Sequence, residues 1–133
     1  VTVAPLEQSE GGEHQALEIE EDVLDGQISG SALTPSVVRK MSRAFAGMSV
    51  TDAAIEELLL WYYEVVDEVG QNIREHAQLG GNPATFIDAI DKMKDLMMLG
   101  WMRRMLVKAG EDAEERGYKR IDVEQLIHLD PFE

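Results

Sequence analysis

The apolar positions of this chain recur at intervals of three and four residues, which is the period of an amphipathic α-helix. The clearest run predicts a helix of about seven turns from Ser49 to Leu79, with Ser49 and Asp52 forming a capping-box-like start. Its apolar stripe consists of Ile55, Leu58, Leu59, Tyr62, Val66, Val69, Ile73 and Ala77, and Leu60, Trp61 and Tyr63 widen it. Because the stripe is so broad, we expect this helix to need more than one neighbour.

Cap signals mark the helices on either side of this long element. Thr34 followed by Pro35 is typical of a helix start, and Gly47 ends the helix that they open. The sequence Gly-Gly-Asn-Pro at residues 80–83 ends the long helix and starts another by the same cap-then-proline pattern. From Phe86 to Val107 the apolar positions keep helical spacing.

The last predicted elements are short. Gly117 closes the preceding helix in the left-handed conformation, and residues 118–121 are extended. Asp122 then caps a short helix, with Gln125 at the reciprocal position, and this helix ends near His128. No run alternates strictly over four or more residues, so a sheet is not expected. The predicted fold class is all-α, with four to five helices and one long central helix.

The charge is concentrated at the beginning of the sequence. The formal net charge is −14, from 26 acidic residues and 12 Lys plus Arg, and eight acids but no base lie in residues 1–32. Such a segment cannot bury enough apolar surface to offset its ordering entropy. We therefore predict an acidic, flexible arm over residues 1–32 and a single helical domain over residues 33–133. The high acid content also suggests a halophilic protein from a salt-rich cytoplasm.

The sequence lacks recognisable catalytic and metal-binding patterns. The absence of cysteine excludes disulfides and thiol nucleophiles, and His14, His76 and His128 stand in no metal-ligand spacing. No serine lies in a GxSxG setting. We therefore predict a protein that is not an enzyme and that has no catalytic residue, metal or cofactor. Since no segment approaches the roughly 20 apolar residues of a membrane span or resembles a signal peptide, we expect a soluble intracellular protein, cytoplasmic or part of an assembled particle.

Five of the seven methionines lie within Met93 to Met105, beside Trp101. Methionine fills irregular core gaps and also makes adaptable binding surfaces, so both readings are open. Core packing is the default interpretation, and the binding interpretation gains support from two long, broadly apolar helices that have few other elements to cover them. The predicted partner-binding residues are Trp61, Tyr62, Met93, Met97, Met98, Trp101, Met102 and Met105.

Part of the chain resembles the archaeal-type histone fold. Residues 33–47, LTPSVVRKMSRAFAG, are similar to its short first helix, and MSVTDAAIEELL, running on to REHAQLGG, is similar to the start and body of its long central helix. Ala84 to Met98 is one candidate for the third helix of that family. Residues 116–126, RGYKRIDVEQL, resemble the family's last loop and third helix in residue type, which would place the third helix at residues 121–129.

The resemblance implies two expectations. Histone-fold chains clasp in pairs through their central helices, and they bind DNA through basic residues of the first helix and the loops. Only Arg39, Lys40 and Arg43 match such positions here, so they are the predicted nucleic-acid contacts. Because binding by counterion release needs several phosphate contacts, a chain at −14 favours protein pairing over DNA wrapping.

These observations lead to two functional hypotheses. The first is a non-enzymatic helical subunit that acts by protein-protein association or self-association within a larger complex or particle, such as a virion. The alternative is a histone-like, DNA-associated architectural or regulatory protein.

Overall fold

The computed structural model describes residues 33–133, and over this range the fold is all-α, as predicted. The described residues form five α-helices, one π-helical turn and one pair of two-residue strands. The elements are α1 (Pro35–Met41), the π-turn (Ser42–Ala46), β1 (Ser49–Val50), α2 (Asp52–Leu79), α3 (Pro83–Met97), α4 (Gly100–Glu115), β2 (Arg120–Ile121) and α5 (Val123–Leu126). The predicted acidic arm, residues 1–32, lies outside the described residues.

The first helix begins and continues as its local signals predict. The Thr34 hydroxyl accepts a hydrogen bond from the Val37 backbone N–H at 3.3 Å, directly before Pro35. The helix passes into the π-turn, which ends at Gly47 with φ of 71°. Inside this turn the buried Ser42 hydroxyl donates to the carbonyl of Met48 at 2.7 Å, so its polar group is satisfied.

The long helix α2 exists as predicted, but its cap is Thr51 and not Ser49. The Thr51 hydroxyl accepts from the Ala54 N–H at 3.2 Å. Ser49 instead belongs to β1, two residues before the cap, where it pairs with Arg120. The buried side of α2 consists of Ala54, Ile55, Leu58, Tyr62, Val65 and Val69.

The helical spacing from Phe86 to Val107 belongs to two helices. The helical conformation is interrupted at Leu99, which has φ of 63° and a buried side chain. The Arg104 guanidinium donates to both carboxylate oxygens of Asp95 across the break, with one N–O distance of 2.9 Å. Because of this turn, α3 packs on α2 while α4 packs on the π-turn and on α3.

A short parallel pairing joins two distant parts of the chain. Ser49 pairs with Arg120 and Val50 with Ile121, so the segment predicted to be extended forms a strand that the periodicity did not predict. The Thr51 N–H donates to the Ile121 carbonyl at 2.9 Å. Directly after β2, Asp122 and Gln125 form the predicted capping box, and the Asp122 N–H donates to the Gln125 side chain at 2.7 Å.

Candidate partner-binding surfaces

The structure separates the eight predicted partner-binding residues into two groups. Trp61 and Met93 are half-buried, and Met97 and Met98 are exposed. The other four belong to the hydrophobic core: Tyr62, Trp101, Met102 and Met105. The accessible surface is therefore smaller than the sequence predicted, because half of the proposed contact residues are used to hold the helices together.

The burial of Trp101 follows from the turn at Leu99. The turn places the Trp101 ring 6.0 Å from the Tyr62 ring, and the Trp101 indole N–H donates to the Pro131 carbonyl at 2.7 Å. The Tyr62 hydroxyl donates to the Leu96 carbonyl at 3.3 Å. Burial, and secondarily the nearby Tyr63, raises the pKa of Tyr62. These contacts make both rings part of the frame of the domain.

The solvent side of α2 carries an apolar patch with an acidic rim. Leu60 and Tyr63 are 59% and 58% exposed, and Glu56, Glu57 and Glu64 lie around them. We call the surface formed by these five residues and Ala53 the α2 outer face. An open groove of about 430 Å³ runs along it. Leu60 and Tyr63, which the periodicity places in the widened apolar stripe, lie on the solvent side of the helix.

A second pair of exposed apolar side chains lies on α3 and directly after its last residue. Ile87 is 59% exposed and Met98 is 69% exposed, and a spacing of eleven residues places them about three helical turns apart on one face. Exposed Asp91 and Lys94 lie between them. We call these four residues the α3 outer face. Both charge signs occur on it, in contrast to the α2 outer face.

The three predicted nucleic-acid contacts, Arg39, Lys40 and Arg43, are all exposed at the start of the domain. The Arg39 guanidinium forms an exposed ion pair with Asp52 at 3.1 Å, an interaction of small energetic value. The strand pairing brings exposed Arg120 opposite Ser49, close to the π-turn.

Both described histidines, His76 and His128, have a polar neighbour within hydrogen-bonding distance. Among residues 33–133 no group of three or more His, Cys, Asp or Glu side chains is arranged to hold a metal ion. His76 Nδ1 lies 2.7 Å from the Asn72 carbonyl, and His128 Nε2 lies 2.9 Å from an Arg116 nitrogen. No helix in this part of the chain has the length and apolar character to cross a bilayer.

The chain matches no known family, and no curated protein or solved structure shows significant similarity to it.

Proposed function

We propose that this protein is a non-enzymatic helical subunit that acts by protein-protein association within a larger complex or particle. The observation that supports this function is the exposure of large apolar side chains on the outward faces of two helices, at Leu60 and Tyr63 and at Ile87 and Met98. Such grouped exposed residues mark interaction surfaces more often than single ones do. The buried residues Trp101, Met102 and Met105 supply a packed frame behind these faces.

The energetics favour covering these residues. Complete burial of a leucine or isoleucine side chain contributes about 1.5–3 kcal/mol relative to full exposure. Since Leu60 and Ile87 are each 59% exposed, covering the exposed part contributes about 1–2 kcal/mol per side chain. A stable interface covers about 800 Å² per partner. Leu60 and Tyr63 would form the apolar centre of such a contact, whereas Ile87 and Met98 would lie on either side of the charged pair Asp91 and Lys94.

The α3 outer face suits self-association. Since Asp91 and Lys94 carry opposite charges, a two-fold pairing of two α3 helices can place each carboxylate beside an ammonium group. In the same pairing, Ile87 of each copy would contact Met98 of the other copy.

Light scattering on the purified chain tests this proposal. We expect a mass above the 14.9 kDa of one chain, falling toward it in the variants Ile87→Glu and Met98→Glu, which place a charge in the contact. Glu114→Gln, on an exposed part of α4, is the control and should keep the wild-type mass. If the chain is a monomer at all concentrations and neither α3 substitution changes its mass or its stability, self-association through this face is contradicted.

The alternative is a DNA-associated architectural or regulatory protein with a histone-like pairing. It is favoured by one observation, since the β-pairing places exposed Arg120 opposite Ser49, three residues after the π-turn that contains Arg43. Duplex binding should then weaken steeply with salt, with a logarithmic slope of about −3 for three phosphate contacts. The combined variant Arg39→Glu/Lys40→Glu/Arg43→Glu should abolish it, and a chain that shifts no duplex at low salt removes this alternative.

A further inference from the structure

We propose that the α2 outer face binds a cationic amphipathic helix of another protein, an inference that rests on the association function above and specifies one surface and partner for it. The face is an open apolar groove on a long helix, with carboxylates along both sides. Its geometry and its charge point to the same kind of partner.

The groove is formed by the arrangement of side chains along one side of α2. Leu60 lies at the centre of the solvent side, opposite the buried residues Leu58, Tyr62 and Val65. Ala53, two turns before Leu60, has only a methyl group, which leaves room beside the larger side chains. The Tyr63 ring is held in an edge contact with the Tyr62 ring at 5.6 Å, so one wall is fixed by the core.

The charge along this helix is of one sign over five turns. Residues 52–71 contain six acids and no Lys or Arg, and the first base is Arg74. Residues 33–133 as a whole hold 18 acids and 12 bases. Acids and bases are therefore mixed in the rest of this range, whereas residues 52–71 carry acids alone. Asp52, at the edge, pairs with Arg39, while exposed Glu56 and Glu64 flank the apolar centre.

This charge disfavours the other occupants. A second copy that used the same face would set carboxylates against carboxylates, which costs free energy. Residues 1–32 carry eight acids and no base, so they repel the face as well. Nucleic acids and anionic lipid surfaces are negatively charged as well, so the carboxylates of this face repel them. A protein segment with Lys or Arg beside apolar anchors satisfies both the groove and its rim.

The partner's pattern follows from the spacing of the face. Leu60 and Tyr63 lie within one helical turn. Glu56 and Glu57 lie about one turn before Leu60, and Glu64 lies about one turn after it. A helix laid along the groove would place apolar anchors at i and i+3 or i+4 against them, with bases flanking the anchors.

The test uses the full chain and two labelled helical peptides of about 18 residues. One peptide has Leu anchors flanked by Lys, and the other has the same anchors flanked by Glu. Fluorescence anisotropy should show binding of the cationic peptide, weakening as NaCl is raised, and none of the anionic one. The double variant Leu60→Ser/Tyr63→Ser and the triple variant Glu56→Gln/Glu57→Gln/Glu64→Gln should each bind about tenfold or more weakly.

The matched control is Glu111→Gln/Glu114→Gln/Glu115→Gln, which removes the same charge from exposed positions of α4. It should leave the affinity for the cationic peptide unchanged, and circular dichroism should show that every variant is folded. Equal weakening by this control, equal binding of the anionic peptide or no binding of the cationic one overturns the inference. The light-scattering result for Ile87→Glu and Met98→Glu is independent of these outcomes, so self-association through α3 can stand when this inference fails.

Discussion

Thr51 connects two helices that are far apart in the sequence. Its hydroxyl accepts from the Ala54 N–H to cap α2, and it donates to the Asp122 carboxylate at 2.8 Å. That carboxylate also accepts from the Val123 N–H at the start of α5. The Val123 N–H, and secondly the Thr51 hydroxyl, lower the pKa of Asp122.

We expect Thr51→Ala to cost more stability than the same change at the other threonine cap. Thr34→Ala removes the cap of α1, which contributes about 1 kcal/mol. Thr51→Ala removes a cap together with a hydrogen bond to a charged group, for a total of about 2–3 kcal/mol. Urea denaturation of both variants measures the difference, and equal midpoints would show that the Thr51–Asp122 contact contributes nothing.

The same contact gives the stability a defined pH dependence. Because the pKa of Asp122 is lower in the folded chain, its contribution is complete above the ordinary pKa of an aspartate and is lost as the pH falls through the lowered value. In Thr51→Ala the Asp122 carboxylate loses the Thr51 hydroxyl as a hydrogen-bond donor. The urea midpoint should therefore fall less steeply with decreasing pH in this variant than in the wild type.

The individual helices show which information is local. The caps at Thr34, Asn82 and Asp122 are readable from the sequence because each acts on a backbone N–H within three residues. The choice of Thr51 over Ser49 is not readable, since both residue types cap helices and the β-pairing decides between them.

The break at Leu99 has only a weak local signal, the glycine at position 100, where a Cβ would clash with the Asp95 carboxylate. A leucine in the left-handed region is strained by roughly 1–2 kcal/mol, and burial of its side chain offsets this cost. The packing that buries Leu99 also draws Trp101, Met102 and Met105 inside. For that reason the helical spacing of the methionines was readable from the sequence, but not which of them face solvent.

The contact between α4 and the π-turn depends on one glycine. A Cβ at position 110 would lie 2.9 Å from the Ala46 Cβ, which is too close. We expect Gly110→Ala to destabilise the fold by about 1–2 kcal/mol, although alanine favours helices. Thermal unfolding of Gly110→Ala and of Gly110→Ala/Ala46→Gly measures this, because the second change restores the space.

Gly70→Ala is the control, since its Cβ would meet Arg74 and Met93 at ordinary distances of 3.6 and 3.8 Å. It should stabilise the protein by about 0.5–1 kcal/mol. Stabilisation of the protein by both glycine substitutions would show that close packing at residue 110 is unimportant.

The whole molecule carries a net charge of −14, and self-repulsion of this size opposes compaction. Screening by salt weakens the repulsion, so the free energy of unfolding should rise with KCl concentration. A series of urea titrations at increasing KCl measures the slope. Greatest stability in dilute buffer would argue against adaptation to a salt-rich cytoplasm.

The pairing of β1 with β2 bears on how the protein is made. Thr51 and Asp122 are 71 residues apart, and β2 follows α4 in the sequence, so the strand partner of Ser49 and Val50 is synthesised after the helices α1 to α4. Closing so long a loop is entropically costly until the helices between have docked. The pairing of Ser49 and Val50 therefore cannot form before residues 120–121 have left the ribosome.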